Sequence, residues 1–153
     1  MLNLHLEAAN TLQAIVENAW VLIANKIKQG KSIDEFEVQQ FILNELKKNQ
    51  CITENVPICA VNENSANPHY IPIKGQAKEI KQGDFILIDL WCKKNIEHAV
   101  YADLTRVAYA AKKAPEKYRE VFKAVQSGRD AAINFIRKNC VVTFFDSIML
   151  LIS

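Results

Sequence analysis

Between residues 4 and 29 the apolar side chains Leu12, Ile15, Ala19, Leu22, Ile23 and Ile27 recur at steps of three and four. That spacing predicts an amphipathic helix, and Gly30 is placed to end it. Ser32 and Glu35 then stand at capping-box spacing and predict a second helix to about Asn49, with Val38, Phe41, Ile42 and Leu46 on one face. From Cys51 to Lys81 the pattern breaks into short pieces. ICAVN (58–62) reads as a buried strand, NENSANPHY as a loop of turn formers, and YIPI as a second short extended piece. KQGD (81–84) reads as a turn, after which FILIDLW and YADLTRVAYA carry the β-branched and aromatic composition of strands. Pro115 suits the first turn of a last helix, whose stripe of Tyr118, Val121, Phe122, Val125, Ala132 and Ile136 runs to about Lys138. Gly128 lies inside that stripe and weakens it slightly. The element order predicts an α/β (α+β) layer, with helices packed on one side of a mostly antiparallel sheet.

Two carboxylates interrupt the apolar strands. Asp89 follows FILI directly, and Asp103 is bracketed by Tyr101, Leu104 and Val107. If the two strands form a hairpin, one register sets Asp89 opposite Asp103, Trp91 opposite Tyr101 and Leu87 opposite Thr105. Directly opposed residues share a face with Cβ atoms about 5 Å apart. Carboxylates that close repel unless one keeps its proton or a cation sits between them. Two readings stay open here: a pair of solvated acids at strand ends, or two ligands of a divalent metal pair. His69, in the Asn-Pro loop, is either a surface residue or a donor to a substrate carbonyl or oxyanion. His98 lies in the hairpin loop with nothing that requires it at a site, and His5 is expected to cap or pack the first helix. Cys92 lacks the orienting third group that a thiol nucleophile needs.

Composition narrows the classes. The 153 residues suffice for one domain, 50% are hydrophobic and 24% charged, and the net charge of +2 comes from 19 basic and 17 acidic side chains of interleaved sign. Nucleic acid is not an expected partner, because phosphate binding shows as clustered Lys and Arg. The four cysteines, Cys51, Cys59, Cys92 and Cys140, form no C-x-x-C pair, which points to free thiols in a reducing compartment. MLNLHLEAAN lacks the basic and apolar regions of a secretory signal, so the expected location is cytoplasmic. The apolar segment VVTFFDSIMLLIS (141–153) is too short to span a bilayer comfortably and carries Asp146, so no membrane association is expected.

NENSANPHYIP, GDFILIDLW, VYADLTRVAY and PEKYREVFKAVQSGRDAAI, taken together, resemble the catalytic domain of the creatinase/aminopeptidase metallopeptidases, the pita-bread fold, and within it the Xaa-Pro aminopeptidase-like branch. The resemblance covers about residues 4 to 140. It implies that Asp89 chelates one metal, that Asp103 bridges two, and that His69 contacts substrate. It also implies a divalent metal pair (manganese, cobalt, zinc or iron), a metal-bridging water that attacks the bond after an N-terminal residue, and a peptide substrate beginning Xaa-Pro.

The departures from that family carry equal weight. The loop between the aspartates is a few residues longer than in familiar members. The family's remaining ligands, a histidine and two glutamates, come from the second half of its domain, whereas this sequence has no histidine after His98 and no glutamate after Glu120. Residues 1–140 are therefore expected to be the N-terminal part of the domain and 141–153 an apolar divergent tail. The expected product is a truncated metallopeptidase, inactive alone, with an exposed sheet edge that a second chain or homo-oligomer could cover. Two other readings are a non-catalytic module binding a protein or RNA partner, and an enzyme whose missing ligands come from a second polypeptide.

Overall fold

A computed structural model describes residues 1–139, which fall into two units, 1–111 and 112 onwards. In the first, helix α1 (Leu2–Lys28) presents Ala8, Leu12, Ile15, Val16, Ala19 and Ile23 to the core. Gly30 adopts φ +66°, and its N–H donates to the Ile27 carbonyl while that of Lys31 donates to Lys26. That is a Schellman ending, where glycine meets no Cβ penalty.

Helix α2 (Glu35–Lys48) begins two residues later than the Ser32/Glu35 spacing predicts. Its N-cap is Asp34, whose carboxylate accepts the Glu37 N–H at 2.7 Å while the Asp34 N–H donates back to the Glu37 side chain at 3.1 Å. SIDEFE holds the same cap signature twice, two residues apart. The later one wins because it buries Ile33 and Val38, the two positions of a hydrophobic staple, and leaves Glu35 free to point inward.

The sheet is antiparallel and built around one strand. Strand β3 (Phe85–Lys94) pairs with β2 (Ile58–Val61) on one side and with β4 (Ala102–Tyr109) on the other, while the two-residue β1 (Cys51–Ile52) meets its last residues. Ile86, Ile88, Leu90 and Cys92 alternate onto the face that α1 and α2 cover. The layered α+β arrangement matches the sequence expectation, and Gly83 makes the turn into β3 at φ +93°. YIPI does not form a strand. Residues 62–66 form a 3-10 turn, and the chain then runs irregularly to Lys81. Pro at 68 and 72 withholds two of the N–H groups that a ladder would need.

In the second unit, α3 (Glu116–Asn139) starts immediately after Pro115, whose carbonyl accepts from Tyr118 and Arg119. Its apolar stripe has the predicted helical spacing, but none of its described residues is buried. The expected tail at 141–153 lies outside the described residues.

Leu90 is fully buried at the centre of β3. Leu90→Ala is expected to lower unfolding stability by about 2–5 kcal/mol in urea titrations, the range for deleting a core leucine. Asp34→Ala should cost about 1 kcal/mol in the same experiment through loss of the cap.

Candidate metal centre

Alternation along β3 turns Asp89 away from the helices, onto a face that also carries Phe85, Leu87 and Trp91. On β4 the same face carries Asp103, Thr105 and Val107. The predicted register is off by two. Asp89 pairs with Thr105 and Trp91 with Asp103, so the aspartates are diagonal neighbours rather than directly opposed. Strand β3 runs on to Lys94 because β1 extends its partnering, and β4 joins only at Ala102, opposite Cys92. A slip of two leaves every side chain on its own face, so the carboxylates still share one surface. Diagonal pairs stand about 7–8 Å apart at Cα, within reach of one another's side chains.

The electrostatics follow from that placement. Partial burial, and then the negative charge of Asp89, push the Asp103 carboxyl above its ordinary value. Asp89 is half-buried between two neighbours, with Ile58 of β2 on one side and Thr105 on the other. The Thr105 hydroxyl donates to the Asp89 carboxylate at 2.5 Å and restricts its rotation. The expected register set this threonine opposite Leu87; it stands opposite Asp89 instead, on the same face as Asp103 two residues before it.

His69 lies exposed in the loop between the 3-10 turn and β3, with its backbone N–H donating to the Asn67 side chain. Among the described residues it does not join the two aspartates in a cluster of three metal-ligating side chains, nor does any other His, Cys, Asp or Glu. His98 is exposed, 3.5 Å from Glu97, in a hairpin loop where it takes φ +60°. His5 packs as expected, buried, with Nδ1 2.9 Å from the Tyr101 carbonyl oxygen. Cys92 is fully buried on the opposite face of the sheet, and burial pushes its thiol up, away from the thiolate a nucleophile needs.

The largest omission of the sequence reading is Glu35. Its side chain is fully buried, and its carboxylate accepts four hydrogen bonds. One oxygen receives the Val61 N–H at 2.7 Å and the Asn64 amide at 2.9 Å; the other receives the Tyr70 hydroxyl at 2.6 Å and the Lys78 N–H at 2.8 Å. Burial, and then the hydrogen bond to Glu35, push the Tyr70 phenol up, so it stays a donor. Read as a capping residue, Glu35 showed nothing of this, because its partners lie 26 to 43 positions away in the chain.

The model of Metallopeptidase family M24 matches residues 7–148, and the chain belongs to that family. Its helices and antiparallel sheet are part of the family's pita-bread fold. Among solved structures, an X-Pro aminopeptidase from Thermotoga maritima MSB8 is 23% identical, with a TM-score of 0.63 over 86% of this chain and 34% of that one. An X-prolyl aminopeptidase from Caenorhabditis elegans, described as a cytosolic enzyme with a di-nuclear active site, is 21% identical, with a TM-score of 0.59 over 76% of this chain and 18% of that one. This chain thus spans between about a fifth and a third of the length of those structures. None of the curated proteins matches it. No helix among the described residues is long and apolar enough to cross a membrane.

The raised Asp103 carboxyl sets a pH dependence. Its folded-state value lies above the unfolded one, so its contribution to stability is complete below about pH 3.9, the unfolded value, and is lost as pH rises through the folded value. Asp103→Asn removes that component. In metal-free urea titrations from about pH 3 to 6, the variant should gain on the wild type as pH rises, by less than about 1 kcal/mol because solvent screens an exposed carboxylate.

Proposed function

We propose that this chain supplies the aspartate pair of a divalent-metal site in an Xaa-Pro aminopeptidase-type hydrolase. The supporting observation is the placement of Asp89 and Asp103 as diagonal neighbours on the sheet face turned away from α1 and α2. Neither carboxylate has a cationic partner among the ion pairs of the described residues, and two adjacent acids without one are a donor set that fits hard and borderline cations.

Asp89 and Asp103 would hold the metals. Divalent cations, when bound, supply charge neutralisation, a polarised carbonyl and a water acidic enough to ionise near neutral pH. Thr105 keeps the Asp89 carboxylate in one rotamer through its hydrogen bond, an outer-shell role. His69, neutral or protonated, can donate to the carbonyl oxygen of a peptide beginning Xaa-Pro.

Two carboxylates are fewer donors than a pair of cations requires, and the described residues hold no further cluster. The chain by itself should therefore bind metal weakly and turn over slowly, if its two aspartates act without ligands from elsewhere. Calorimetric titration with Mn²⁺ or Co²⁺ is expected to show weak binding that Asp89→Ala or Asp103→Ala abolishes. Thr105→Val should reduce it about 10- to 100-fold, the usual effect of removing an outer-shell partner. Binding unchanged in Asp89→Ala would sink the metal assignment. Rapid cleavage of an Xaa-Pro peptide by the purified chain would sink the expectation of low activity.

A further inference from the structure

We propose that Glu35 is the positioning residue of the loop that carries His69. This inference rests on the peptidase reading only for its kinetic consequence. The Glu35 carboxylate grips the segment between β2 and β3 at Val61, Asn64, Tyr70 and Lys78, so one buried side chain restrains that segment at four places. The third of these, Tyr70, directly follows His69. The loop has no ladder of its own and few regular backbone bonds between Tyr70 and Lys81, so side-chain hydrogen bonds carry the ordering that a strand would otherwise supply. All four partners are donors, and only a carboxylate offers two oxygens with enough lone pairs to accept them.

The geometry also separates this role from core packing. Tyr70→Phe deletes the hydroxyl and keeps the half-buried ring, so the loop loses its hydrogen bond to Glu35 and no apolar surface. In Glu35→Gln one oxygen becomes an amide donor. Whichever way the amide turns, it faces a backbone N–H that cannot reverse its role, either that of Val61 or that of Lys78.

Hydrogen–deuterium exchange on the full chain tests the proposal. In Tyr70→Phe, exchange across residues 66–73 is expected to rise about tenfold, the factor carried by a hydrogen bond of ordinary net strength. Protection in α2 beyond its first turn and Mn²⁺ binding should stay as in wild type, while the urea midpoint falls because the buried Glu35 carboxylate loses one of its four donors. Glu35→Gln, where it folds, should raise exchange across the whole of 61–78. If a peptide beginning Xaa-Pro is cleaved, Tyr70→Phe should raise KM about tenfold with kcat within about twofold, because the loop meets substrate before chemistry. Wild-type exchange in the Tyr70→Phe loop overturns the proposal. So does a rise shared equally by α2, which makes Glu35 a global stabiliser only, and so does a raised exchange with unchanged KM. Absence of cleavage in the wild type is the low activity expected of this chain; the calorimetric titration then decides the metal reading, and the exchange result decides the positioning role alone.

Discussion

The arrangement of the first unit depends on one buried carboxylate with four donors. Glu35 enters the interior at the first turn of α2, where a charged side chain is costly unless fully hydrogen-bonded. It is satisfied there by the end of β2, the 3-10 turn, a tyrosine hydroxyl and the chain approaching β3. Each of those segments is therefore placed relative to the helix layer by polar geometry, while the core fixes only their depth. A backbone bond from the Glu35 N–H to the Lys78 carbonyl, and one from the Ile80 N–H to the Ile33 carbonyl, close the same junction. The neighbouring Cys59 responds to the same environment: burial, then the charge of Glu35, push its thiol up and keep it neutral.

The two faces of the sheet differ in what they carry. One face of β3 supplies fully buried aliphatic residues against the helices, which is where hydrophobic stabilisation accumulates. The other carries Asp89, and β4 adds Asp103 and Thr105 beside it. Rigid neighbours on either side hold Asp89 at mid-strand, a sounder base for a ligand than a loop tip. The second candidate, His69, stands on a loop, and its position is only as definite as the hydrogen bonds that tie that loop down.

Several elements were legible because the signals were local. The α1 stripe and its Gly30 ending, the KQGD turn and the alternation of β3 each follow from spacing within a few residues. Other readings failed where two local signals competed. SIDEFE offers two caps, and burial of Ile33 chose between them. YIPI has strand composition, but prolines and the grip of Glu35 on Tyr70 hold it in irregular structure. The expected hairpin register rests on the chemistry of opposed acids, whereas the strands pair two residues away, Asp89 with Thr105 and Trp91 with Asp103.

What the sequence determined by itself was the parity of the site. Side chains alternate with a period of two, so Asp89 and Asp103 had to share a face once the hairpin formed in any register slipped by an even number. Which residues then touch was decided by tertiary structure. Strand pairing put Thr105, not Asp103, across from Asp89, and folding brought the donors to Glu35 from positions as far as Lys78. Such contacts depend on where distant segments are packed against one another, and no periodicity within one segment records that.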